Sequence, residues 1–526
     1  MNMKNRIDPN SAALLLCLAL LNACGGGGGG GATSSTSIPT APPSTLQPLA
    51  SNALGQAPNA DGYFPNAAGA YPNAQGIYPN AAGVFPSAAE VGLFANDNGV
   101  ARNYSTAGAI DKNNPFFKSF GNGRNCASCH QQEEGFSITP KGLEERFTKS
   151  DGNDPIFMLN DGANSPLAPV GTLAEKRAAY SMLLTRGVIR IGMKIPDDAE
   201  FELVKVIDPY QYASAKELSL FRRPLPSANL IFLKDVMWDG RETALDNTSK
   251  DCLAGPLCFA TLDANLAHQA NSATVGHAQA AKDLTQEEQK AIVAFEKNLF
   301  SAQTFNEDAH FLDVAGAQGG PIFLQTTPNF FGINDFLFGN LKTGAKFDEN
   351  AMQNFSGWLK TTGTSDPKIN AARLSIARGE VLFNTRPMSP QIVPLLFDDK
   401  LINRATCSTC HNAPQTGNAS TPLAISTFSS DSRFRKVDQP MYTLRNKLTG
   451  ATTDTLDPGV AMKTGKWVDI GRFKVPTLRG LSARAPYFHD GSAATLRDVV
   501  NFYDGTFFYA FTSGETEDLI AFLSAL

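Results

Sequence analysis

Cys126-Ala-Ser-Cys129-His130 and Cys407-Ser-Thr-Cys410-His411 decide how this chain is read. Each has the form C-x-x-C-H. In that form two thiols add across the vinyl groups of a haem, and the adjacent His reaches the iron from one side. A C-x-x-C pair also serves as half of a zinc site. Structural zinc needs four ligands at matched spacing, and neither string has a second C-x-x-C or an H-x-x-x-H beside it. A thioredoxin-type pair needs a βαβ setting and no His. The strings therefore predict two covalently bound haem c groups. Cys126, Cys129 and His130 hold the first; Cys407, Cys410 and His411 hold the second; both His are iron ligands.

The chain starts with a targeting pattern. Lys4 and Arg6 precede the apolar run Ala12 to Leu21, which is too short to span a membrane comfortably. It ends in Leu21-Asn22-Ala23-Cys24, similar to a bacterial lipobox, so residues 1–24 read as a lipoprotein signal peptide with Cys24 as the lipidated residue. Plain secretion with cleavage nearby is the alternative. Either route leads to the periplasm or cell envelope, where bacteria attach haem c, and the lipid is the only membrane contact expected. Residues 25–95 follow as a tether. Gly25 to Gly31 gives way to Ser, Thr and Pro, then to a seven-residue repeat at Pro58, Pro65, Pro72 and Pro79, each followed by Asn-Ala. Phe64, Tyr71, Tyr78 and Phe85 precede the later prolines. Proline at that interval excludes a long helix, and the composition cannot bury a core. A disordered spacer is expected; an aromatic strip that docks a partner or wall polymer is the alternative.

The 526 residues leave room for two or three domains beyond the tether. A net charge of −5 and a pI near 5.8 exclude a nucleic-acid partner. Cys252 and Cys258 lie in a loop with Gly and Pro, and in an oxidising compartment they are expected to form a disulfide. Secondary structure reads as mainly α. Thr285-x-x-Glu288 is a capping box before the apolar positions Ile292, Phe295 and Leu299. Thr512-x-x-Glu515 precedes Leu519, Phe522, Leu523 and Leu526 in the same way. Strand-like alternation is scarce. Two cytochrome c-like haem domains are expected, over 96–345 and 366–526, joined through the polar stretch Lys342 to Asp366.

Further motifs carry a resemblance. They are Trp238-Asp-Gly-Arg241, Arg378-Gly-Glu-Val-Leu-Phe383, Val475-Pro-Thr-Leu-Arg479, Ala485-Pro-Tyr-Phe-His489-Asp-Gly, Thr495-Leu and Asn501-Phe-Tyr503. In this order around two C-x-x-C-H strings, they resemble the bacterial dihaem cytochrome c peroxidases and their MauG-like relatives, from about Asn114 to the C-terminus. The resemblance implies that the first haem is the peroxide site and the second takes electrons from outside. Many relatives block the first haem with a second His soon after the string; here no His follows His130 until His268. An open or water-bound first haem is therefore expected.

The resemblance also assigns side chains. Peroxide cleavage needs a group that takes one proton and returns it. The family uses a Gln and then a Glu, and the matching positions are Gln269 and, after a small gap, His277, with His268 as rival. Trp238 matches a tryptophan between the haems, and Arg241 is expected to tie down a propionate or the loop. The second haem's sixth ligand falls on Tyr503, fourteen residues past His489, where MauG-like enzymes have a Tyr and classical peroxidases a Met. Met441 and Met462 are alternatives. A calcium ion is the further cofactor that the resemblance raises. Backbone carbonyls near Arg484 and Pro486 match its site, but the expected Asn before Pro-Ser or Pro-Thr is missing in Arg222-Arg-Pro-Leu-Pro226-Ser227. The function expected is reduction of hydrogen peroxide with electrons from a small cytochrome c or copper protein. A MauG-like enzyme that oxidises a partner protein through a bis-Fe(IV) state, or a non-enzymatic electron carrier, is the alternative.

Overall fold

In the computed structural model of the protein, the described residues are 70–71, 92–108, 110–253, 257–397 and 402–526. The expected signal peptide, Cys24 and nearly all of the tether lie outside them.

The helices start where the sequence supplies caps. Thr285 accepts from the Glu288 N–H while Glu288 reaches back to the Thr285 N–H, and the helix Gln286–Lys297 follows. Thr512 and Glu515 do the same for Ser513–Ser524, and Thr495 with Asp498 for Leu496–Phe507. Each box satisfies N–H groups that a helix start leaves without intrahelical partners. Asp366 caps the helix Pro367–Thr385, whose proline sits in the first turn and loses no hydrogen bond there.

The mainly α expectation is not met. The architecture is mixed α/β: of the described residues, 32% are helix and 16% strand, in several small sheets. Gly99–Ser105 and Leu299–Asn306 pair antiparallel at the centre of a four-stranded sheet edged by Leu93–Asn96 and His310–Phe311. Ile189–Met193 pairs with Leu218–Arg222. Met441–Asn446 lies between Phe201–Ile207 and Thr452–Thr455. The strands escaped notice because several are buried on both faces. Leu218–Arg222 is buried at every position, and Leu299–Asn306 opens with five buried residues. Such strands lack the two-residue alternation that marks a half-exposed one. Leu299, read as part of a helical stripe, is in fact the first residue of a strand.

The motif Arg378-Gly-Glu works as a packing device. The helices Pro367–Thr385 and Ser513–Ser524 share one core with Phe355, Trp358, Phe383 and Phe522. Arg378 pairs with Asp518 across the helix contact. Glu380 accepts the N–H groups of Asn354 and Phe355, and burial pushes its carboxyl up to about 7. Gly379 lets the helices meet: a Cβ there would lie 1.9 Å from the carbonyl oxygen of Asp518. Gly379→Ala should therefore destabilise the fold by about 1–3 kcal/mol, as overpacking does. Denaturant unfolding checks this, and an unchanged midpoint would show that the helices separate freely.

Trp358, in the polar stretch expected to join two domains, is fully buried. Pairings also cross that stretch. Phe201–Ile207 joins Met441–Asn446, and the Tyr442 hydroxyl donates to the Ser219 carbonyl at 2.7 Å. The backbone N–H of Lys474 donates to the Trp238 carbonyl at 2.9 Å. These links hold the cavities described next.

Candidate functional site

Two cavities among the described residues bear on function. Cys126, Cys129 and His130 line the first, and Cys407, Cys410 and His411 the second. The two strings share one local geometry. Cys407–Cys410 is a single helical turn that carries both thiols, and Cys126–Ser128 is a turn that starts at one thiol and is closed by the other, Cys129. In each, the His Nδ1 meets a backbone carbonyl six residues on: Phe136 at 3.0 Å for His130, and Gly417 for His411. Both carbonyl-bearing residues have positive φ, 58° and 69°. With Nδ1 held by the backbone, Nε2 is the nitrogen left for a metal. Burial lowers both imidazoles to about 4, so they are neutral at pH 7, as a ligand must be.

Burial raises all four thiols above the ordinary range. A redox-active or zinc-binding cysteine has a depressed value instead. The linings also carry charge that suits a group bearing carboxylates. Arg223, Lys474 and Arg484 line the second cavity with no acidic residue among its lining. Arg124, Arg222, Arg223, Arg241 and Lys474 line the first together with Glu296. Arg124 is paired with Asp161, Arg222 with Asp239 and Asp457, and Arg241 with Asp239, whereas Arg223 has no carboxylate partner among the described residues. The Glu296 carboxyl is pushed up to about 8 by burial and is neutral at pH 7. Thiol pairs, neutral imidazoles and cationic linings together fit haem, whose propionates need countercharges.

Gln269, Trp238 and His277 all line the first cavity. Gln269 and His277 stand two helical turns apart, on and at the end of the helix Leu262–Gly276, with the small Ala273 between them. His277 is not alone. Its Nδ1 lies 2.6 Å from Oδ2 of Asp161, and the other Asp161 oxygen takes an ion pair from Arg124, two residues before Cys126. Burial acts to raise Asp161, but the His277 hydrogen bond and the Arg124 charge outweigh it and hold the carboxyl below its usual range. An ionised carboxylate only accepts, so His277 donates from Nδ1, which leaves Nε2 as the nitrogen facing away from Asp161. Asp161 is the residue that sequence reading missed; it stands 116 positions from its partner. The rival His268 faces away, its side chain 74% exposed and paired with Glu242, and is absent from the cavity lining.

Trp238 lines both cavities. Its Nε1 donates to the Arg223 carbonyl at 2.8 Å. Its ring meets His489 edge-on at 6.4 Å, and His489 stacks on Phe473 at 4.2 Å. His489, used in sequence only to count to Tyr503, is itself buried in the second cavity. Tyr503 lines that cavity too, and burial raises its hydroxyl strongly. Met388 is a further lining residue, whereas Met441 and Met462 line neither cavity. Met462 packs in a separate core beside Phe201 and Tyr442. Arg241 lines the first cavity and pairs with Asp239. Cys252 and Cys258 form a disulfide.

No protein-family model matches the chain. It is 29% identical over 182 residues to cytochrome-c peroxidase IdrP1 of Pseudomonas sp. (strain SCT), covering 30% of this chain and 41% of that one. To the IdrP1 of Denitromonas iodatirespirans it is 29% identical over 152 residues, 23% of this chain and 37% of the other. To the cytochrome c551 peroxidase of Nitrosomonas europaea it is 32% identical over 129 residues, 24% and 32% of the two. The chain thus spans about two fifths or less of the curated relatives it matches. Among solved structures, a MauG-like protein associated with microbial copper homeostasis aligns with 60% of this chain and 76% of its own, at 15% identity and TM-score 0.28. The resemblance drawn from the motifs is borne out at this level: the curated relatives are cytochrome-c peroxidases. Among the described residues no helix is long and apolar enough to cross a membrane.

Proposed function

We propose that this chain is a dihaem c-type peroxidase of the cell envelope, which reduces hydrogen peroxide in the first cavity with electrons received through the second. The overall change is H2O2 + 2 H⁺ + 2 e⁻ → 2 H2O. A small cytochrome c or copper protein supplies the electrons. Haem in each cavity would be held by Cys126, Cys129 and His130 and by Cys407, Cys410 and His411, and supplies the redox chemistry and an oxygen-binding iron.

The observation that carries this reading is the Asp161–His277 pair in the first cavity. A pure electron carrier has no need of a base held in one tautomer. His277 takes a proton from incoming peroxide at Nε2, and the charge it gains faces ionised Asp161. It then gives that proton to the departing oxygen. The Gln269 amide orients the oxygens without changing charge. Trp238, bordering both cavities, is the short route for electrons between them. Location outside the cytoplasm is supported by the Cys252–Cys258 disulfide, with Cys24 as the proposed lipid site.

Tyr503 favours a second reading, a MauG-like enzyme acting on a partner protein, because a buried phenol lines the second cavity. One experiment separates the two. Stoichiometric hydrogen peroxide is added to the haem-loaded protein, followed by a reduced small cytochrome. Rapid return of the optical spectrum with donor oxidation is the expected result. A long-lived oxidised state that no donor discharges favours the second reading, and no response to peroxide removes both.

A further inference from the structure

The asparagine that the resemblance leads one to expect before Pro-Ser is absent, since Leu225 precedes Pro226-Ser227, and Arg223 lies two residues upstream of it. Its guanidinium is buried. Among the described residues no carboxylate pairs with it, unlike neighbouring Arg222, which is held by Asp239 and Asp457. The nearby Glu134 carboxylate is engaged by the N–H and hydroxyl of Thr139. The partners of Arg223 are backbone oxygens instead. Nη1 donates to the carbonyls of Arg186 at 2.9 Å and Gly187 at 3.4 Å. Nη2 donates to those of Ile138 at 2.7 Å and Arg484 at 3.0 Å. A ring of neutral carbonyl oxygens converging from separate segments is what a hard cation takes from a protein. Here the cation belongs to the chain.

The surroundings leave no room for another. A Cβ on Gly187 would lie 2.3 Å from Nη1. The Arg484 carbonyl, one of the expected calcium ligands, already accepts from Arg223, and burial first, then the neighbouring Arg484 guanidinium, lower Arg223. A divalent ion would face two like charges, and the nearby Glu134 carboxylate is already engaged by Thr139. The expected calcium therefore does not fit the residues present.

We propose that the Arg223 guanidinium takes the place of that calcium ion, as a permanent cation that ties Ile138, Arg186 and Gly187 to Arg484 and thereby fixes Trp238 between the two cavities. The tie reaches Trp238 and His489 through the backbone of the same residue. The Arg223 carbonyl accepts from Trp238 Nε1, and the Arg223 N–H donates to the His489 carbonyl at 2.7 Å. Arg223 is thus a positioning residue. Its assignment is independent of the peroxidase reading, because its readouts are calcium content and thermal stability.

The test uses the full haem-loaded chain as wild type, Arg223→Lys and Arg223→Asn. Each is desalted, assayed for bound calcium, and melted in millimolar EGTA or millimolar calcium chloride. Wild type should carry no stoichiometric calcium and melt alike in both media. Arg223→Lys, which keeps the charge, should share that indifference. Arg223→Asn should melt lower than wild type in EGTA and recover part of the loss in calcium, since the vacated carbonyls then face an amide oxygen and no charge. Stoichiometric calcium in wild type, or a lower melting point in EGTA, overturns the proposal. So does an Arg223→Asn chain that melts alike in both media. If that variant does not fold, the other two chains decide, and calcium dependence in either overturns it.

Discussion

Replacing His277 by Gln should slow the reaction of the haem-loaded protein with hydrogen peroxide by about 10²–10⁴-fold, the usual worth of a positioned acid–base group. The side chain remains polar and similar in size, so the loss reports proton transfer and not a collapsed cavity. Asp161→Asn should cost at least about 10-fold, because the proton on Nδ1 can still be accepted while the charge that balances a protonated imidazole is gone. The two losses should not add, since the second group acts only through the first. His268→Gln is the control and should leave the rate unchanged, because that ring sits outside the cavity. Stopped-flow mixing with peroxide measures all three. A His277→Gln enzyme with the wild-type rate would sink the assignment, and an Asp161→Asn enzyme with that rate would reduce the pair to a packing contact.

Tyr503→Phe should remove the phenolate signature from the second haem's spectrum and raise its reduction potential, by on the order of 0.1 V given the range that axial ligands span. The substitution deletes one oxygen from a wall already rich in aromatics, beside Phe488, Phe502 and Phe507, so the fold should not register it. The structure also narrows the competitors. Met441 and Met462 line neither cavity, whereas Met388 lines the second. If Tyr503→Phe leaves spectrum and potential untouched while Met388→Leu changes both, the sixth ligand is sulfur and the peroxidase reading gains over the MauG-like one.

How much of this could be read beforehand depends on the range over which each feature is encoded. Capping boxes are local, and those at Thr285 and Thr512 were legible and occur where expected. The haem strings are local too, and each lines its own cavity with the His positioned by a carboxyl-side carbonyl. Strands buried on both faces, such as Leu218–Arg222, left no periodic trace, so the sheet content was missed. Gln269 and His277 stood out because both lie within one stretch of sequence around a single helix. Asp161 did not, because nothing local marks an aspartate whose partner lies on a distant helix. Arg223 is intermediate. The missing asparagine was visible, but not that an arginine two residues upstream would gather carbonyls from three segments of chain.

The pairing of Phe201–Ile207 with Met441–Asn446 bears on how the protein can be handled. A C-terminal fragment produced by itself would display Met441 to Asn446 as a raw sheet edge, an open template for self-association. The intact chain must instead bring together segments far apart in sequence, which makes folding slow. On the proposed reading, thioether formation at Cys126 then has time to occur while the molecule is still open, and haem supply during maturation, rather than later uptake, should govern the yield of fully loaded protein.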